Sequence, residues 1–185
     1  LRVLSVKYPN PGMFVVRGDS AYASIEDLEG QPVAFGTQAS GLRILANDVL
    51  DGLGLQPEKD FRQIILEKAA DGPRLVLDGE AEALWGAGIG WPGFVAVADG
   101  PAGGRFIPPS PEQIKQIREK HPHLQEMRVP AGTYKGQAED IPSVGLWSLI
   151  LGRPDLDDET AYRLVRAMHL GHDDFAAIYD VFRDG

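Results

Sequence analysis

No cysteine occurs among the 185 residues, so neither disulfides nor thiolate metal ligands contribute to this chain. That absence leaves its compartment open. Basic residues are in deficit: 18 Lys and Arg stand against 27 Asp and Glu, a net charge of -9. No basic face gathers them, which argues against binding to nucleic-acid phosphates. Long apolar runs are also missing. Stretches such as FVAVA at 94–98 fall far short of the roughly 20 residues that a helix needs to cross a bilayer. Internal repeats and low-complexity tracts are absent as well. What is present is 43% hydrophobic residues, enough for one ordinary core or two small lobes without staples. The chain opens at Leu1 inside an alternating apolar run, with neither an initiator Met nor a signal peptide ahead of it, and the expectation is that an upstream segment was removed.

β-branched and aromatic residues flank the Pro/Gly cluster PNPG, so LRVLSVKY and MFVVRGD are predicted as two strands around a turn. SIEDLEG carries Ser24 as an N-cap and Gly30 as a stop, the marks of a one-turn helix. A strand follows at 33–35. Leu42, Leu45, Ala46, Val49, Leu50 and Leu53 then fall on one face of a helix that Gly54 caps. FRQIILE is a strand, and GPRLVLDGEAEALWGAG a short helix leading into a strand at 83–85. Pro92 suits a first helical turn, GRFIPPS is a strand, and SPEQIKQIREKH is a helix with Pro111 at its first position and Ile114 and Ile117 inward. The segment 129–152 reads as strands and turns. The acidic run at 155–159 opens a helix that breaks near Gly171, after which Phe175, Ile178, Tyr179 and Phe182 share a face. Alternating strands and helices mean a parallel or mixed α/β sheet. A middle βαβ lobe is placed at 31–122, with 1–30 and 123–185 forming part of another unit.

The junction FGTQASG, between strand and helix, carries the strongest functional signal. In an open α/β sheet, ligands gather beyond the carboxyl ends of the strands, where helix N-termini point. First-turn amides lack intrahelical partners and sit at the positive end of the helix dipole, so Thr37, Gln38, Ser40 and Gly41 can present donors to an anion such as a carboxylate. The same residues equally serve as plain helix caps and turn formers. FGTQASG matches neither G-x-G-x-x-G nor a phosphate loop ending in Gly-Lys-Ser/Thr. His169 and His172 lie at i, i+3, but Gly171 interrupts them and no acid stands between them, so no metal is assigned. His121 and His123 read as surface residues at a helix end, where a cation suits the dipole. Trp85, Trp91 and Tyr134 adjoin small or turn residues, where a ring can pave a cleft or pack in a core. No nucleophile–base pair or carboxylate pair announces catalysis.

The strings SIEDLEGQPVAFGTQASGLRILANDVLDGLGL, RFIPPSPEQIKQIREKHPHL and above all VPAGTYKGQAEDIPSVG resemble the TAXI family of TRAP transporter solute receptors, along essentially the whole chain. The resemblance implies a type II periplasmic binding protein fold: here one βαβ lobe plus part of a second lobe, joined by hinge strands, with the solute enclosed between lobes. It implies a non-enzymatic, extracytoplasmic receptor without cofactor, which passes a small carboxylate solute such as glutamate to TRAP membrane subunits. By the family pattern the ligand-binding positions are Thr37, Ser40 and Gly41, with Gly88 and Trp91 at another strand-to-helix turn, and Thr133 and Tyr134 toward the first lobe and hinge. The chain departs from the family in lacking a lobe-forming stretch before Leu1. GTQASG also stands where more glycine and serine are usual, which bears on Gln38. An enzyme or a ligand-sensing regulator on the same scaffold is the alternative.

Overall fold

Residues 1–178 are described by a computed structural model, and Tyr179 and Phe182 lie outside them. The chain builds β1 (Arg2–Arg17), β2 (Pro32–Thr37), α1 (Gly41–Gly52), α2 (Pro57–Asp60), β3 (Arg62–Leu66), α3 (Gly72–Leu77), β4 (Ala83–Ala87), α4 (Pro92–Ala98), β5 (Gly104–Ile107), α5 (Pro111–Lys120), β6 (Gln125–Val129), β7 (Ile141–Gly152), α6 (Asp158–Leu170) and α7 (His172–Ile178). One mixed sheet has the order β3-β2-β4-β1-β7-β6, with β5 also pairing with β1. β2 runs parallel to β3 and β4, whereas β1 is antiparallel to β4 and β5.

By close contacts the chain divides into two compact units, residues 1–10 with those from Trp147 onward, and Pro11–Leu146. β1 and β7 pass from one unit into the other. The larger unit takes in 11–30 and 123–146, which the sequence reading placed outside the middle lobe. They join it because Met13–Val16, Val129, Tyr134, Ile141 and Val144 belong to its buried cores.

Those cores lie on the two faces of the sheet. Phe14, Val16, Val33, Phe35 and Trp85 pack with Leu45 and Val49 of α1 and with Ile114 and Ile117 of α5. The alternate residues Met13, Val15, Ala34 and Leu84 pack with Val76 of α3 and with Phe94 and Val97 of α4. A central strand between parallel β2 and antiparallel β1 and covered on both faces, β4 buries all five of its residues. The amphipathic face of α1 is as predicted. It ends in a Schellman motif: Leu55 N–H donates to Leu50 O (2.8 Å) and Gly54 N–H to Asp51 O (3.0 Å), with Gly54 at φ +81°. Ser110 caps α5 with a reciprocal Gln113 bond.

The turn expected at PNPG is absent, because the two predicted strands are the single strand β1. Proline's fixed φ is compatible with extended backbone, and Pro11 still accepts from Gly88 N–H at 3.1 Å. Gly12 serves close packing rather than a bend: a Cβ there would lie 2.7 Å from the Trp85 ring. Sequence punctuation alone cannot separate these uses.

In the smaller unit, Arg2 pairs with Asp158 (2.9 Å) and Asn10 Nδ2 donates to Ser148 Oγ (2.7 Å). The acidic run is the helix start that was expected, with Asp157 Oδ1 accepting from Thr160 N–H at 2.8 Å. That bond holds the Asp157 carboxyl below the ordinary aspartate range. α6 buries none of its residues.

Candidate functional site

β2 and β4 are parallel neighbours, so the connections after Thr37 and after Ala87 leave the same end of the sheet. The first re-aims the chain sharply. β2 carries a register irregularity between Ala34 and Thr37, and Gly36 within it has φ +94°. A Cβ on Gly36 would meet Ser40 Oγ at 3.1 Å. Gly36→Ala is therefore expected to cost about 1–3 kcal/mol in chemical denaturation, through backbone strain that an L side chain cannot relieve. An unchanged midpoint would contradict this.

Ser40 is the N-cap of α1, with extended backbone, yet its side chain makes no cap bond. Its Oγ instead donates to Thr37 O at 3.0 Å. Ser40 thus closes the turn onto Thr37 rather than capping the helix with its side chain. Gly41, the first helical residue, is exposed, and a Cβ on it would meet nothing within 4 Å. The start of α1 consequently offers amide donors with no side-chain cap over them.

Gln38 is exposed and bonds Arg43: its Oε1 accepts from Arg43 Nη1 at 2.9 Å, and its backbone O accepts from the same nitrogen at 3.3 Å. Arg43 Nη2 reaches Glu58 at 3.3 Å. The Arg43 side chain is only 14% exposed, and its Nε lacks a partner. Sequence reasoning passed over Arg43. A signal for it was available, because a cation in a first helical turn opposes the macrodipole.

The second connection, 88–91, leads into α4 with Trp91 as its N-cap. The Trp91 ring packs edge-on against Phe94 (5.0 Å) and so near the backbone that a Cβ on Gly86 or Gly93 would sit 2.4 or 2.3 Å from it. Gly88 is buried. Tyr134, also buried, holds this loop: its hydroxyl donates to Gly88 O at 3.1 Å and accepts from Gly90 N–H at 3.0 Å. Its ring lies against Phe94 and Phe106, centroids 5.9 and 4.5 Å apart.

The PAGTYKGQ turn is fastened to itself. Thr133 Oγ1 donates to Pro130 O (2.7 Å), Gln137 Oε1 accepts from Tyr134 N–H (3.1 Å), and Gln137 Nε2 donates to Pro130 O (3.0 Å). Asp140 closes it, accepting from Ala131 N–H (2.8 Å) and Arg128 (3.0 Å). The Ala131 amide, and then Arg128, hold the Asp140 carboxyl below the ordinary aspartate range. A depressed folded-state value means that this stabilisation is complete above the ordinary aspartate pKa and disappears as pH falls through the folded value. Following the Ala131 amide resonance through an acid titration should show the turn loosening only in that low window. The Asp140→Asn variant should lack the transition, and an identical profile in the variant would contradict the assignment.

Thr37, Gln38, Ser40 and Gly41 thus form one loop, Gly88 and Trp91 another at the same end of the sheet, and Tyr134 braces the second. Thr133 binds within its own turn. His169 and His172 make no ligand cluster among the described residues, where Asp48, His121 and His123 are the group with ligand atoms gathered. A groove of about 630 Å³ lies elsewhere, between α5 and β6, lined by Ile114, Arg118, Glu126 and Arg128 among others.

A mixed sheet covered on both faces, with helix N-termini at the ends of its parallel strands, is the fold of the periplasmic binding proteins. Three solved structures share it: a periplasmic binding protein from Brucella ovis with glutathione bound (12% identity, 96% of this chain and 44% of that one, TM-score 0.55); an arginine transport system periplasmic binding protein from Legionella pneumophila (12%, 95% and 62%, 0.51); and a TctC solute binding protein from Polaromonas (18%, 98% and 57%, 0.50). The chain spans about half the length of these proteins. It belongs to the NMT1-like family, whose model matches residues 1–183.

Proposed function

We propose that the protein is an extracytoplasmic solute receptor of the TAXI type, serving a TRAP permease. It holds a small carboxylate-bearing solute, such as glutamate or a related organic acid, and performs no chemistry on it. The observation that carries this reading is the start of α1: Ser40 makes no side-chain cap, Gly41 is open, and the partly satisfied Arg43 stands in the first turn. Together these present amide donors and nearby positive charge at the carboxyl end of β2, where such folds take ligands. Membership of the NMT1-like family and a fold shared with solute-binding proteins point the same way.

In this reading Thr37 and the amides of Gly41 and Leu42, which precede the first helical bond from Arg43 N–H to Ser40 O, face the solute carboxylate. Gln38 steers Arg43, Gly88 and Trp91 shape the adjoining wall, Tyr134 holds that wall in place, and Thr133 fastens the turn that carries Tyr134. Calorimetric titration with L-glutamate, succinate, L-arginine and a neutral sugar tests it. Saturable heat with the carboxylates and none with the sugar is expected, and a sugar preference would overturn it.

A further inference from the structure

We propose that Asp48, His121 and His123 form a binding site for a divalent transition metal of the zinc class, on the surface where α1 meets the end of α5. Asp48 stands on α1, His121 is the C-cap of α5, and His123 follows two residues later. One ligand atom from each comes within 4.8 Å of the other two. Asp48 Oδ2 is 2.9 Å from His123 Nε2, and Asp48 Oδ1 is 3.8 Å from His121 Nδ1. Tetrahedral bonds of about 2.0–2.1 Å place ligand atoms about 3.3 Å apart, and each imidazole nitrogen stands near that distance from a carboxylate oxygen of Asp48, His123 from Oδ2 and His121 from Oδ1.

The surroundings orient the group. His121 Nε2 lies 2.7 Å from Asp51 Oδ2, and Lys120 Nζ bonds Asp51 Oδ1 at 2.9 Å. Asp51 thus accepts from Lys120 through one oxygen and presents the other to the His121 ring. An Nε2–H donated to Asp51 leaves the Nδ1 lone pair aimed at the Asp48 carboxylate, two acceptors facing each other with room for a cation between them. A carboxylate behind a ligating imidazole is the usual way that metal sites fix tautomer and ring angle. The frame is firm: α1 and α5 approach so closely that a Cβ on Gly52 would lie 2.7 Å from Ile117 Cα. Imidazole with carboxylate suits zinc, cobalt, nickel or copper rather than calcium or magnesium, and three protein ligands leave a fourth position for water. Such an ion would fasten α1 to the α5–β6 connection.

The test uses the untagged, chelator-treated chain, titrated with Zn²⁺ by calorimetry and with Co²⁺ by visible absorption. One ion per chain is expected, with the d–d bands of a low-coordinate Co²⁺ and with zinc-induced shifts of the His121 and His123 ring resonances in the unsubstituted protein. His123→Ala and Asp48→Asn should abolish saturable binding, Asp51→Asn should weaken it roughly 10–100-fold, and the His169→Ala, His172→Ala double variant should leave it unchanged. Binding that survives His123→Ala, that follows His169 and His172, or that leaves the His121 and His123 resonances unmoved would overturn the proposal. So would the lack of a one-to-one complex with either ion.

Discussion

Replacing Gly41 with proline is expected to leave the fold intact and to weaken carboxylate binding roughly ten- to a hundredfold, the 1.5–3 kcal/mol of a hydrogen bond to a charged group. The substitution removes one amide proton and little else. Gly41 is the first residue of α1, where proline is favoured because its missing donor has no intrahelical acceptor. Ser40 already has φ -88° and ψ 147°, the region that a residue before proline prefers. The space beyond Gly41 is open. Gly41→Ala keeps the amide and should keep the affinity. Calorimetry with L-glutamate on both variants checks this, and equal affinities would remove the Gly41 amide from the binding account.

Truncating Tyr134 to alanine is expected to destabilise the larger unit by about 3–5 kcal/mol, as for other buried aromatics, since its ring packs against both members of the Phe94–Phe106 pair. Tyr134→Phe separates the hydroxyl's part. It keeps the ring but strips Gly90 N–H and Gly88 O of their partner, at a cost of about 1–3 kcal/mol. If the 88–91 loop forms a wall of the site, Tyr134→Phe also weakens the solute complex without touching the solute. Denaturant midpoints and titrations of the two variants check both parts. A Tyr134→Phe protein as stable as the original would mean that the hydroxyl does not brace the loop.

The contrast between Gly41 and Tyr134 shows what the sequence made legible. Apolar periodicity and local caps located α1, α4 and α5, because their information lies within a dozen residues. The strand-turn-helix junction at 35–41 was visible for the same reason. The role of Tyr134 was not, since its hydroxyl acts on a loop more than forty residues earlier in the chain. The PNPG segment misled because proline and glycine serve both turns and close strand packing, and the Trp85 ring that decides between them is remote in sequence. Arg43 escaped notice because its links to Gln38 and Glu58 depend on how the loop before α1 folds back and on how α1 and α2 lie together.

The central claim is that the amides opening α1 meet the negative charge of a solute. Backbone amide shifts of the 185-residue chain, recorded during titration with L-glutamate, test it most directly. The account predicts saturating changes concentrated at residues 37–43, with a second set at 88–91. Saturating changes confined to the α5–β6 groove around Arg118 and Arg128, with 37–43 silent, would contradict it.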